Sequence, residues 1–192
     1  MFNWFPEKTA RRRYDVNDNP EDDREDNLVS SKLWNTQNDL SKKSRLEAVG
    51  LLNQQLADAI DLAYQAKQAH WNVKGPNFIA LHELFDEVVE KIEEYVDEIA
   101  ERAVQLGGTA LATVRVSASR SRLSEYPLDT SSGSAHVKAL SAALAKFGKT
   151  SRAAIDAAAA LGDADTADLF TEVSRGVDKL LWKVEAHAQA KD

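Results

Sequence analysis

The stretch Ala69-His70-Trp71-Asn72-Val73-Lys74-Gly75-Pro76-Asn77-Phe78-Ile79-Ala80-Leu81-His82 holds the end of one helical pattern, a break and the start of another. Upstream of it Val49, Leu52, Leu56, Ile60 and Ala63 recur at three- and four-residue steps, which predicts a first helix over roughly 42 to 72. Gly75-Pro76 interrupts that helix, since proline lacks the amide a helix interior requires. Asn77 is the predicted cap of a second helix, whose apolar residues run Leu81, Phe85, Val88, Ile92, Tyr95, Ile99 and Ala103 until Gly107-Gly108 stops it.

The following stretch contains Ser, Arg, Tyr126-Pro127 and Ser131-Ser132-Gly133, and is too long for a tight turn between neighbouring helices. A third helix carries Val137, Leu140, Leu144, Phe147, Ala154 and Leu161; Gly162-Asp163-Ala164-Asp165 is a short connection, with Asp165 as the predicted cap of a fourth helix bearing Phe170, Val173, Val177, Leu180, Leu181 and Val184. Four long helices joined short, long, short predict an all-α, ferritin-like four-helix bundle with a long crossover between helices 2 and 3.

Composition bounds the chemistry. The chain has 192 residues, 43% of them hydrophobic, enough for one domain with a substantial core. It has no cysteine, which excludes disulfides and thiolate metal sites and leaves His and carboxylates as ligands. The net charge of −7 argues against a broad nucleic-acid-binding face on the folded body. No apolar run reaches the roughly 20 residues that span a bilayer, and the start lacks a signal-peptide core, so a cytoplasmic protein without a membrane partner is expected. Residues 1 to about 30 combine a basic cluster, Lys8, Arg11, Arg12 and Arg13, with an acidic stretch from Asp15 to Asp26 and little apolar surface. They read as a mobile charged arm, with the bundle domain taken as 41–190 and the arm as 1–40; Trp4, Phe5, Leu33 and Trp34 could dock parts of it.

The second helix carries a polar seam. At about 100° per residue, Asp86 lies roughly 40° from His82, Asp97 roughly 60° and Glu101 roughly 100°. Yet His82 and Glu101 are separated by on the order of 28 Å of helix and cannot share a metal within one chain. Residue numbers 82 and 101 have the same midpoint as 86 and 97. Two copies packed antiparallel about a twofold axis near residues 91 and 92 would therefore face His82 with Glu101, and Asp86 with Asp97, building a metal site between subunits twice per dimer. The helix is acid-rich in any case, with Glu83, Glu87, Glu90, Glu93, Glu94 and Glu98 beside the seam, so spacing alone leaves a metal site and an ordinary solvated face both open. None of the four His follows a Glu by three residues, which argues against the intrasubunit di-iron site of ferritin-like bundles. The only methionine is Met1, so no haem held by Met across an interface is expected. His136 and His187 match no motif and read as surface residues near helix ends.

The segment from Ala69 to His82, continuing to Ala100-Glu101-Arg102-Ala103-Val104-Gln105-Leu106-Gly107-Gly108, resembles the Dps family, DNA-binding proteins from starved cells. The likeness covers about residues 40 to 190, including Tyr126-Pro127 and Asp165-Thr166-Ala167-Asp168. The resemblance implies a hollow homododecamer that acts as a ferroxidase, oxidising Fe(II) with hydrogen peroxide or oxygen, storing the ferric mineral and protecting DNA from oxidative damage. It implies five iron ligands: His70, His82 and Asp86 of one subunit, Asp97 and Glu101 of its twofold mate. Trp71 is then either an electron donor beside the site or ordinary interface packing, and Lys67 a partner for a site carboxylate. Asp165 and Asp168 would line a threefold pore that draws cations inward, or serve the helix N-terminus. The alternative function is compaction of DNA in the nucleoid through Lys8, Arg11, Arg12 and Arg13, with Arg115, Arg120 and Arg122 of the crossover as further candidates. A third reading makes the arm a docking element for a partner.

Overall fold

A computed structural model describes residues 33–190. Five helices follow one another: α1 (Lys42–Asn72), α2 (Phe78–Gln105), α3 (Val114–Arg120), α4 (Gly133–Ala160) and α5 (Ala164–Gln189). The four long ones form the predicted bundle: α1 packs chiefly on α2 and α4 on α5, and α1–α4 and α2–α5 contacts close it. Helix α3 is an addition to the expected pattern, a seven-residue helix inside the crossover, packed on α1. The expected arm as far as residue 32, with Lys8, Arg11, Arg12 and Arg13, lies outside the described residues. Leu33 to Leu40 belong to the body, however: the Trp34 amide donates to Gly107 O over 2.7 Å, and Leu33 and Leu40 pack on the core.

Local chemistry sets each boundary. Ser41 Oγ accepts from the Ser44 amide at the start of α1, satisfying a donor that has no intrahelical partner. After α1 the chain turns through Gly75 at φ +116°, a conformation that L side chains rarely adopt. Asn77 does not cap α2 with its side chain, as the sequence suggested; its carbonyl accepts from Leu81 N while Phe78 N donates to Gly75 O. The turn thus meets the first amides with backbone groups. Nor is Asp165 the cap of the last helix. Asp163 is, accepting from the amide and the hydroxyl of Thr166, and Asp165 sits in the first turn.

The apolar stripe of α2 is buried as its period requires, from Leu81 through Phe85, Val88, Ile92, Tyr95 and Ile99 to Ala103. Phe85, Phe147 and Phe170 are completely buried, each contributing about 1.5–3 kcal/mol relative to exposure. Where α2 meets α5, a Cβ on Gly176 would overlap the hydroxyl of Tyr95, so glycine is needed for that approach. A row of polar side chains on α1 straps the crossover down. Asn53 bonds Thr109 O and Leu111 N, Gln54 reaches Arg120 O, buried Asp58 takes the backbone amide and guanidinium of Arg122, Asp61 accepts from Ser121 Oγ, and Gln65 reaches Ser124 O. These bonds supply the partners that buried polar groups require. No helix among the described residues is long and apolar enough to cross a membrane.

Candidate metal centre

The antiparallel pairing of α1 and α2 sets His70, near the end of α1, against His82, in the second turn of α2. Their rings stack with centroids 3.7 Å apart and planes 22° from parallel. Each Nδ1 bonds the backbone carbonyl of the other residue, at 2.8 Å from His70 to His82 O and 2.9 Å from His82 to His70 O. A carbonyl only accepts, so both Nδ1 atoms carry the proton, and both lone pairs are left on Nε2. Fixing the tautomer of a ligating imidazole through its other nitrogen is what metal sites commonly require. The reciprocal bonds also clasp the two helices at the break that joins them.

One turn after His82, Asp86 lies with Oδ1 3.8 Å from His70 Nδ1 and 2.5 Å from Lys67 Nζ. The hydrogen bond from Lys67 is the main reason the Asp86 carboxyl is held below the usual carboxylate range, against a smaller opposing effect of burial; His70 and His82 add to the lowering. Asp86 is therefore an anion already neutralised by an ammonium, half-buried beside two imidazoles. Lys67 lies one turn before His70 on α1, which is what brings its ammonium here.

Asp97 and Glu101 lie further along α2 and are exposed. The helix separates them from His82 by the distance anticipated from its rise, so one chain brings together His70, His82, Asp86 and Lys67 and leaves the two remaining acids at the far end. Among the described residues of a single chain, no group of three or more His, Cys, Asp or Glu converges closely enough to hold a metal ion.

The ferritin-like domain family matches residues 49–191. A DNA protection during starvation protein of Agrobacterium fabrum is 46% identical over 160 residues, spanning 83% of this chain and 99% of that one. The chain belongs to the Dps family. Among solved Dps structures, one from Mycobacterium smegmatis in a tetragonal form matches with a TM-score of 0.78 at 32% identity, covering 82% of this chain and 96% of that chain. DpsC from Streptomyces coelicolor matches with a TM-score of 0.80 at 27% identity, covering 84% and 95% respectively.

In this Dps chain Trp71 follows His70 with its side chain directed outward, 63% exposed. Asp165 and Asp168 are both exposed on the first turns of α5. Arg102, the residue after Glu101, reaches across to that turn: it donates to Thr166 Oγ1 at 3.0 Å and Asp163 Oδ1 at 2.7 Å, and its Nη1 is 3.7 Å from Asp165 Oδ2. That link between the α2 seam and the start of α5 is not anticipated by the sequence, because an Arg on a charged helix carries no signal of its target. Arg122 of the crossover is committed to Asp58.

His136 is a correction. Instead of lying on the surface it is 1% exposed. Helix α4 begins at Gly133, and its first turn faces inward, placing the ring edge-on to Phe85 under Tyr126, whose hydroxyl is 2.7 Å from His136 Nδ1. The signal available in the sequence is its spacing from the α4 stripe, four residues before Leu140 and eight before Leu144. His187 is exposed near the end of α5, as expected.

Proposed function

We propose that this protein oxidises Fe(II) at sites shared by two subunits, stores the ferric product inside a hollow homododecamer in the cytoplasm, and so protects DNA from iron-driven oxidative damage. The observation that carries the reading is the divided ligand set: a clasped His70–His82 pair with Asp86 at one end of the α2 seam, and Asp97 with Glu101 exposed at the other. Antiparallel pairing of two α2 helices completes the set twice per dimer, and the Dps relatives carry names that refer to DNA protection.

Iron is the substrate. The two Nε2 lone pairs and the Asp86 carboxylate would receive Fe(II) from one side, and Asp97 and Glu101 of the second subunit from the other. Imidazole and carboxylate suit iron, and the anionic oxygens favour the Fe(III) product. Two Fe(II) ions supply the two electrons that convert hydrogen peroxide, with two protons, to two waters, so paired irons avoid releasing a hydroxyl radical. Lys67 keeps Asp86 ionised and compensated until a cation arrives; its ammonium then moves or shares the second oxygen. Trp71 stands beside the site as a source of single electrons. At the other end of α2, Asp165 and Asp168 line a threefold entry whose field concentrates cations, tempered by Arg102 beside Asp165.

Complementation between inactive subunits tests the shared site. Cages of His82→Ala and of Glu101→Ala should each lose fast Fe(II) oxidation. A mixed dimer of the two carries one site with both lesions and one with neither, so random mixing restores about one quarter of the sites, given an isologous twofold interface. Stopped-flow absorbance of mixtures in which native mass spectrometry demonstrates subunit exchange measures the recovery. Exchange without recovery overturns the shared site, and so does full activity in either parent.

A further inference from the structure

The Tyr126–His136 pair takes no part in holding iron, yet it joins the crossover and the start of α4 to the end of α1. Tyr126 Oη and His136 Nδ1 are 2.7 Å apart, with ring planes 18° from parallel. His136 Nε2 is buried without a hydrogen bond of ordinary geometry. A backbone group of Asn72 nevertheless favours a proton on the ring, and Nδ1 is already engaged by Tyr126. The proton of the neutral imidazole is therefore on Nε2, Nδ1 is the acceptor, and the phenol donates. Asn72 directly follows Trp71, and the chain just beyond is pinned to the crossover by the Lys74 amide, which donates to Ser131 O over 2.9 Å. A partly buried phenol hydrogen-bonded to a buried neutral base thus lies beside the backbone segment that carries an exposed indole.

We propose that Tyr126, with His136 as its proton acceptor, re-reduces Trp71 after that indole has been oxidised. The initial oxidant is a one-electron species of the hydroxyl-radical class, which removes an electron from Trp71; the indole N–H proton leaves to solvent. Tyr126 then passes one electron to the Trp71 radical, and its phenolic proton moves along the 2.7 Å bond to His136 Nδ1. The indole regains a proton from solvent. The products are intact Trp71, a neutral phenoxyl radical at Tyr126 and an imidazolium at His136.

The surroundings suit the step at rest and make it reversible. Burial pushes the Tyr126 hydroxyl up to about 12, so the phenol stays protonated until it is oxidised. Burial also holds His136 below the usual histidine range, with the Lys74 charge acting in the same direction, so the ring is neutral and able to accept. Without an adjacent base, phenol oxidation would leave a cationic radical in a low-dielectric site, where an unpaired charge is costly. The imidazolium is itself disfavoured there, which drives the proton back when the phenoxyl is reduced.

The proposal rests on the ferroxidase reading only for where the oxidant arises, so its test uses the full-length, iron-free protein. Azide radicals generated by pulse radiolysis oxidise exposed indoles. The indole-radical absorbance should decay in part into phenoxyl absorbance, in a first-order step whose rate is independent of protein concentration and slower in deuterium oxide. Trp71→Phe and Tyr126→Phe should each remove the phenoxyl phase, while the indole signal from the other tryptophans persists. Freeze-quenched wild-type radical should show an exchangeable-proton hyperfine coupling that deuterium oxide abolishes, a readout that needs no variant to fold. A phenoxyl phase surviving in either variant, an identical rate in deuterium oxide, or a radical with no exchangeable coupling overturns the proposal.

Discussion

Burial of the His136 imidazole has a consequence for stability as well as for redox chemistry. The ring is held below its usual value of 6.5, chiefly by desolvation. Above that value both folded and unfolded chains carry it neutral, and it adds no pH dependence. As pH falls below it, the unfolded chain takes up a proton that the folded chain refuses, so stability declines down to the folded pKa. Chemical denaturation between pH 7.5 and 5.5 should therefore show a falling midpoint, and His136→Gln should flatten that slope whatever its effect on the midpoint at pH 7.5. An equal slope in the variant would assign the pH dependence elsewhere. At the same scale, His70 and His82 are each fixed by the backbone carbonyl of the other residue, so replacing either side chain removes one bond of the clasp and leaves the partner's tautomer anchor in place. Their numbers on a helix face were readable from sequence. The clasp was not, because it depends on the crossing of two helices.

At the scale of the element, the ladder of α1 side chains shows what periodicity hides. Asn53, Gln54, Asp58, Asp61 and Gln65 carry no apolar signal, yet they hold the crossover, four of them by its backbone and Asp61 by the Ser121 hydroxyl. Asn53→Ala leaves the Leu111 amide and Thr109 carbonyl without their partners; removing a buried partner costs about 1–3 kcal/mol. Urea denaturation should report a loss of that order, and amide exchange at Leu111 should quicken ahead of exchange in the α1 interior. A variant with wild-type stability and unchanged protection would reduce the ladder to incidental contact. Helix α3 escaped sequence reading for a related reason: seven residues are too few to display a hydrophobic period or to be stable apart from α1. The long helices were legible because α2 and α5 repeat their apolar residues over many turns. Their caps were less so. Asp163 and Asp165 both offer a carboxylate two residues apart, and only the position of Thr166 and Arg102 decides for Asp163.

For the whole molecule, the short, long, short order of connections already specified the bundle, and a metal site on the α2 seam, if one is built there, needs a second chain. What the sequence left open was how the far end of that helix is tied to α5. Glu101 and Arg102 are neighbours, and Arg102 is bonded to the capped start of α5, where Asp165 and Asp168 stand exposed. Replacing both of those acids by Asn should slow iron uptake several-fold at low salt while leaving equilibrium iron binding at the ligand set nearly unchanged, because a focusing field acts mainly on encounter rate. The difference should shrink as ionic strength rises and the Debye length contracts. Stopped-flow uptake at two salt concentrations checks this; equal rates at low salt would leave the two acids with their helix-terminal role alone.

On the proposed shared site, with its ligands split between the two ends of one helix, iron would act as a bolt driven through a seam between chains. An ion held more tightly by the paired chains than by the separate ones would strengthen their pairing by that same factor, since each equilibrium is written in terms of the other. Dilution and chelation would then be interchangeable ways of loosening that pairing, and the amount of free iron in the surroundings would set how thinly the protein can be spread before the pair comes apart.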